Sequence, residues 1–198
     1  MIKYALDVGA LADTVMAMSE RYTPPNELFT SRLKLRPSAT SDAEAIFNAY
    51  ATDPHVTRYL SWRPHAVLED TLGFLAMCDR ERAAGSDFAY VIEDRENGAV
   101  LGMIEVRVQE HAVEFAYVLR RDRWGQGIMT EALSALADHA LSHPAIWRVY
   151  ALCDTENPAS AGVMMKVGMV YEGIRRRHAI YPNLSPEPRD GLVYAKVR

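Results

Sequence analysis

The segment Val113–Ala132, VEFAYVLRRDRWGQGIMTEA, restricts the fold of this chain more than any other stretch. Val113, Phe115, Tyr117 and Leu119 alternate with Glu114, Ala116 and Val118, the period of a strand with two different faces. The strand enters a turn, Arg123-Trp124-Gly125-Gln126-Gly127, and a helix is expected from about Ile128, with Leu133, Leu136, Ala137, Ala140 and Leu141 on one face. Glycines let backbone amides converge on one point, and a helix N-terminus adds partial positive charge. Together they suit a phosphate or pyrophosphate. The Gly-Lys-Ser/Thr triplet of a P-loop is missing, and Thr130 stands where a dinucleotide-binding GxGxxG turn carries its third glycine. A tight strand-to-helix turn without a ligand is the other reading of a lone Gly-x-Gly.

The pattern around this segment is that of one domain. Leu33 and Leu35 mark a first strand closed by Pro37, and Ser41 with Glu44 predicts a capping box for a helix bearing Ile46, Phe47 and Tyr50. Leu68, Leu72 and Leu75 predict a second helix face, with Gly85 just past its end. Strands are expected from Phe88, over Val100–Val108 and over Val113–Leu119, the first two joined by an Asn97-Gly98 turn. Beyond the glycine turn and its helix come a strand at Val149–Cys153, a helix at Ala159–Val167, a strand at Val170–Ala179, a proline-bearing loop and a last strand, Gly191–Val197. This order predicts an α/β (α+β) fold: a single mixed, mostly antiparallel sheet of about seven strands with helices on both faces. Residues 1–27 are expected to be an N-terminal extension, with a short helix within Ala5–Met18 cut off by Pro24 and Pro25, and residues 28–198 the domain. The extension reads as an appendage, a dimer arm, or upstream sequence with Met18 as the start.

A chain of 198 residues, 49% hydrophobic and 24% charged, can bury a core without staples. Its net charge of -4 argues against a general nucleic-acid binder. Two arginine-rich clusters, Arg120–Arg123 and Arg175–Arg177, stand out from that total as a cationic mouth on an acidic body. Cys78 and Cys153 belong to no CxxC and read as reduced, buried thiols. No signal-peptide pattern and no apolar run long enough to span a membrane is found, so a cytoplasmic location is expected. His139 and His143 have a metal-compatible spacing, but Ala140 follows where HExxH needs Glu, and no metal is expected.

The glycine turn resembles the pyrophosphate-binding motif of the GNAT superfamily of acetyl-CoA-dependent N-acetyltransferases, Gln/Arg-x-x-Gly-x-Gly/Ala, with Trp124, Gly127 and Met129 at its defining positions. Trp124 and Met129 depart from that general pattern. They fit better a branch resembling the ribosomal-protein-alanine N-acetyltransferases, in which Trp-Gly-x-Gly is followed by Thr-Glu-Ala. A second match, Asn157-Pro158-Ala159-Ser160 with Lys166-Val167-Gly168-Met169 and Glu172-Gly173, is similar to the same branch, as is the opening strand Thr30–Pro37.

The resemblance implies a V-shaped opening between strand 113–119 and strand 149–153. Val118 and Leu119 would meet the pantetheine, while Arg123, Trp124, Gly125, Gln126, Gly127, Ile128, Met129 and Thr130 would surround the pyrophosphate. Asn157 and Ser160 would lie beside the pantetheine and sulfur of acetyl-CoA, the cosubstrate. A backbone N–H near Val118 or Leu119 would polarise the thioester carbonyl. Many members carry a Tyr general acid where this chain has Met164, so Ser160 either assists the departing sulfur or only caps its helix.

Acyl transfer to an amine requires a base. Glu114, which shares its strand face with the small Ala116 and with Val118, is the first candidate, and the resemblance often places a Glu here; an exposed strand carboxylate is the plain reading. Glu105 is the alternate, on a face with Leu101, Met103 and Arg107, where an ion pair with Arg107 competes. Tyr59, Trp62, Arg63 and His65 lie on a segment that borders the acceptor site in the family, with loop 181–189 opposite, although a packed Trp62 fits equally well. The expected activity is transfer of an acetyl group to a primary amine, a protein N-terminus or a small molecule, by direct attack in a ternary complex. A non-catalytic acyl-CoA-binding sensor or partner subunit is the second reading. No nucleic-acid or membrane partner is expected, and the chain is expected to be a monomer or homodimer.

Overall fold

The computed structural model describes residues 21–198, so the helix expected within Ala5–Met18 lies outside the described residues. Eight strands form one sheet: β1 (Leu28–Phe29), β2 (Leu33–Pro37), β3 (Asp87–Asp94), β4 (Val100–Val108), β5 (Ala112–Leu119), β6 (Arg148–Asp154), β7 (Val170–Ala179) and β8 (Arg189–Val197). Their lateral order is β1-β2-β3-β4-β5-β6-β8-β7. Neighbours are antiparallel except β5 and β6, which run parallel. The expected class is found with one strand more, because a two-residue β1 pairs with β2 and is too short to leave a period in the sequence.

Helices cover both faces, as the alternation in the strands requires. The helical elements are α1 (Ala43–Ile46), which continues as a π-helical turn over Phe47–Ala51, α2 (Pro54–Thr57), α3 (Leu68–Ala84), α4 (Ile128–Ser142) and α5 (Pro158–Lys166). On one face Leu35, Tyr90, Ile104 and Phe115 pack with Leu133 and Leu136 of α4 and Met164 of α5. On the other, Ala89, Val91 and Met103 pack with Ile46 and Tyr50 and with Leu75 and Cys78 of α3. Both cysteines are free and buried. Residues 21–27 lie on the domain: Tyr22 is buried in the first core and bonds His139 Nδ1 at 3.2 Å, and the Tyr90 hydroxyl donates to the Pro25 carbonyl. No helix among the described residues is long and apolar enough to cross a membrane.

Three local expectations are corrected. The first helix is not started by a Ser41–Glu44 box. Instead the Asp42 carboxylate accepts the Ala39 N–H at 2.8 Å and is held by Arg36. In α3 the buried residues are Thr71, Leu75 and Cys78, while Leu72 is exposed, so Thr71 takes the inward place expected of Leu72, and Leu68 and Leu75 keep theirs. In β4, Leu101 does not share a face with Glu105. The β3–β4 register slips so that Ile92 faces Gly102 and Glu93 faces Val100. This bulge turns Leu101 into the core opposite Met103.

The bulge also places Gly102 where no other residue fits. A Cβ there would lie 2.2 Å from the Val118 carbonyl oxygen on β5. On its far side β5 pairs with β6 only from Ala112↔Arg148 to Phe115↔Ala151. Beyond Phe115 the two strands part, and their C-terminal ends open a cleft.

Candidate active site

The cleft is bounded at one end by the turn between β5 and α4. Gly125 and Gly127 both adopt left-handed conformations, at φ 73° and 74°, which glycine adopts without strain. Gly127 is the N-cap of α4, and Ile128 and Met129 point into the core beneath it. The amides of Gly125 through Thr130 have no hydrogen-bond acceptor among the described residues. Side chains fix the turn: Trp124 Nε1 donates to the Leu119 carbonyl at 2.8 Å, and Gln126 Nε2 to the Asp122 carbonyl at 2.9 Å. Arg32, from the β1–β2 connection, donates to the Gln126 carbonyl at 3.0 Å. The result is a rigid, exposed run of amides at a helix N-terminus that fits a pyrophosphate. Arg123 stands beside it, half-buried.

Along β5 the backbone directions alternate. The Arg120 amide bonds the Leu101 carbonyl, and Gly102 faces Leu119. By that alternation the Val118 amide points to β4, whereas those of Tyr117 and Leu119 point into the cleft. Of the two amides expected to polarise a carbonyl there, Leu119 therefore has the right direction and Val118 does not.

On the β6 side, Asn157 caps α5, its Oδ1 accepting the Ser160 N–H at 3.2 Å. The cap is Asn157, so the Ser160 hydroxyl is free for another role. It lies 2.8 Å from the Tyr117 hydroxyl, and burial pushes the nearby Cys153 thiol up to about 11, with Ser160 opposing. Burial raises the Tyr117 phenol as well, although Ser160 opposes this. Three groups of sulfur and hydroxyl chemistry thus meet at the open end of β5. Asp154, buried at the end of β6, is held by Arg189 at 2.6 and 3.0 Å and fixes the approach to Asn157.

On the opposite face of β5 a cavity of about 570 Å³ reaches the same strand, at Ala116, Tyr117 and Val118. Trp62 and His65 line it, with ring centroids 4.8 Å apart, and Phe74 completes an aromatic wall. Burial lowers the His65 pKa, with Asp70 opposing, and its Nδ1 is 2.7 Å from Thr71 Oγ1. Tyr59 and Arg63, grouped with Trp62 and His65 in the sequence, do not line the cavity. Tyr59 instead donates to the Glu156 carbonyl at 2.7 Å, and Arg63 is exposed. Asn183, from the proline-bearing loop, was not singled out in the sequence. It donates to the Thr57 and Trp62 carbonyls, both at 2.7 Å, and clamps the wall segment.

Glu105 lines the cavity and Glu114 does not. Arg107 lies between them, 2.5 Å from Glu105 Oε2 and 3.2 Å from Glu114 Oε1, so the expected Glu105–Arg107 ion pair is present. Glu114 also accepts from the Tyr150 hydroxyl at 3.0 Å. Burial raises the Glu105 pKa more than Arg107 lowers it, and the carboxylates of Asp87 and Glu81 raise it further. A carboxyl raised in this way, at the wall of a cavity, has the properties of a general base. Among the described residues no group of three His, Cys, Asp or Glu side chains is arranged to hold a metal ion.

A sheet that opens between its one parallel pair of strands, with an anion-binding turn at the mouth, defines an acyl-carrier-dependent transferase. The sequence matches the acetyltransferase (GNAT) domain over residues 32–170, and the chain belongs to that family. It is an N-acetyltransferase by that membership. It is 30% identical to the N-acetyltransferase YoaA of Bacillus subtilis, over 86% of this chain and 96% of that protein. It is 25% identical to the ribosomal protein uS5-alanine N-acetyltransferase of Escherichia coli, over 79% of this chain and 84% of that one. The structure of the ribosomal L7/L12 alpha-N-protein acetyltransferase RimL shares the fold, with a TM-score of 0.77, 21% identity, and coverage of 89% of this chain and 96% of that one.

Proposed function

We propose that the chain transfers the acetyl group of acetyl-CoA to a primary amine by direct attack in a ternary complex, with Glu105 as the base. The observation that carries this reading is the meeting of two spaces at Ala116–Val118: the amide-lined cleft on one side and the cavity holding Glu105 on the other. When bound, acetyl-CoA supplies a thioester whose carbonyl carbon bonds the amine nitrogen and whose C–S bond breaks with its electron pair going to sulfur. The amides of Gly125–Thr130 hold the pyrophosphate, with Arg123 alongside. The Leu119 amide donates to the carbonyl oxygen, where negative charge grows during attack. Glu105 accepts the proton that the amine nitrogen loses as it bonds carbon. Ser160, itself bonded to Tyr117, donates to the departing sulfur. A thiol leaves readily, so this help adds to the rate without being essential.

Glu105 replaces Glu114 as the preferred base because the cavity reaches Glu105 and not Glu114; Arg107 holds both carboxylates, while Tyr150 occupies Glu114 as well. The acceptor is a small amine or a peptide N-terminus. The uS5-alanine relative supports the peptide, and the size of the cavity, about 570 Å³, supports a single residue or small molecule. The test is incubation with acetyl-CoA and a panel of amines and peptides, followed by free-thiol release and intact mass. A gain of one acetyl group with equimolar thiol is expected. Binding of acetyl-CoA without transfer to any acceptor would favour the sensor reading.

A further inference from the structure

Among the described residues, Tyr50 carries the one buried side-chain polar atom without a hydrogen-bond partner. Its side chain is almost wholly enclosed, yet it lines the cavity that holds Glu105. Leaving a buried hydroxyl unpaired is costly, and native folds rarely do so without a reason. The position is also built unusually. Tyr50 lies in the π-helical turn Phe47–Ala51, a local widening of the helix that is frequent at functional sites. Burial raises the phenol well above its ordinary value, and Cys78, Asp42 and Glu105, in that order, add to this. The rest of the wall is apolar: Ile46, Leu60, Trp62, Phe74, Met77 and Met103. Its polar side carries the carboxylates of Glu81, Asp87 and Glu105 interleaved with the guanidiniums of Arg80 and Arg107. One ammonium finds carboxylates there, whereas the two guanidiniums oppose the further cations of a polyamine, and the apolar wall is left for the body of the acceptor.

We propose that the Tyr50 hydroxyl is a direct ligand of the acceptor, taking a hydrogen bond from the attacking nitrogen, and that the acceptor is a primary amine on an apolar or aromatic body. The inference rests on N-acetyl transfer with Glu105 as base. A primary amine has two N–H bonds once neutral: one proton goes to Glu105 as nitrogen bonds carbon, and the other stays on nitrogen, in the amide product, while bonded to Tyr50 Oη. That second contact aims the lone pair at the thioester. A free arylalkylamine and a peptide beginning with an apolar residue share this chemistry.

The test uses the full chain with acetyl-CoA and three acceptors: phenylethylamine, a short peptide with N-terminal phenylalanine, and spermidine. Thiol release gives kcat/KM for each, for wild type and Tyr50→Phe. One or both of the apolar amines is expected to exceed spermidine, and Tyr50→Phe to lower kcat/KM for it about tenfold. Acetyl-CoA affinity should be unchanged, and the thermal midpoint equal to or above that of wild type, because the variant removes a hydroxyl with no partner. Unchanged kcat/KM in Tyr50→Phe overturns the role of Tyr50. A fall in activity together with the thermal midpoint also overturns it, by showing a structural bond. Wild type that prefers spermidine overturns the acceptor class and leaves the transferase reading intact. Wild type that acetylates none of the three overturns both.

Discussion

Glu131 in the first turn of α4 takes two hydrogen bonds from Arg32, from the backbone N–H at 3.0 Å and from Nε at 2.6 Å. Thr30 and Ser31 donate to the same carboxylate, at 2.5 and 3.0 Å. Since Arg32 also donates to the Gln126 carbonyl, this carboxylate ties the β1–β2 connection to the anion-binding turn.

Replacing Glu131 by Gln should lower stability by about 1–2 kcal/mol and weaken acetyl-CoA binding, measured by urea unfolding and calorimetry. Burial raises the Glu131 pKa, but the bonds from Thr30, Arg32 and Ser31 outweigh it and bring it from 4.5 to about 2. A depressed carboxylate pKa stabilises the fold above the unfolded value and loses that stabilisation as pH falls through the folded one. The stability difference between wild type and Glu131→Gln should therefore be full at pH 7 and shrink from about pH 4.5 downward.

Turnover should rise with pH through the raised pKa of Glu105 and then level off, because only its ionised form accepts a proton. Glu105→Gln should cut kcat by about a hundredfold or more and abolish that rise. Glu114→Gln should keep most of the turnover. It frees Arg107 to serve Glu105 alone, which lowers the Glu105 pKa and moves the rise to lower pH. The pH profile of kcat for the two variants checks both statements.

Gly102→Ala should cost about 3 kcal/mol or prevent folding, since the added Cβ meets a backbone oxygen that cannot swing aside. The same change at Gly162, where a Cβ meets nothing within 4 Å, should leave the thermal midpoint close to wild type.

Asn183→Ala removes both bonds that hold the Trp62 segment. It should raise KM for the acceptor about tenfold with a smaller change in kcat, and leave acetyl-CoA affinity intact, as steady-state kinetics and calorimetry would show.

The glycine turn was legible because its chemistry is local: Gly125 and Gly127 are needed where φ is positive, and the helix starts directly after them. The succession of strands along the chain from β2 onward was legible for the same reason, each strand carrying its own period, whereas their lateral order, with β8 between β6 and β7, was not. What escaped was non-local. Tyr50 looks like one more apolar position of an amphipathic helix, and only the folded chain shows that it lines a cavity with its hydroxyl buried and unpaired. Asn183 sits in a loop whose partners lie more than a hundred residues away. Leu101 alternates correctly in the sequence and turns the other way because of a bulge that Gly102 permits. Glu105 and Glu114 are equivalent as letters, and the cavity and Tyr150 distinguish them in space.

The short β5–β6 seam has a consequence for how the molecule holds together. The sheet is an antiparallel meander, β1 to β5, and an antiparallel group in the order β6-β8-β7, joined edge to edge over four residue pairs. Anything lodged where the seam gapes bridges both parts, so occupancy and cohesion rise together. Amide exchange in β6 and β8 should slow on loading more than exchange in β2 and β3. The enzyme is thus a zip left half open, and its cargo is the part that draws the two sides together.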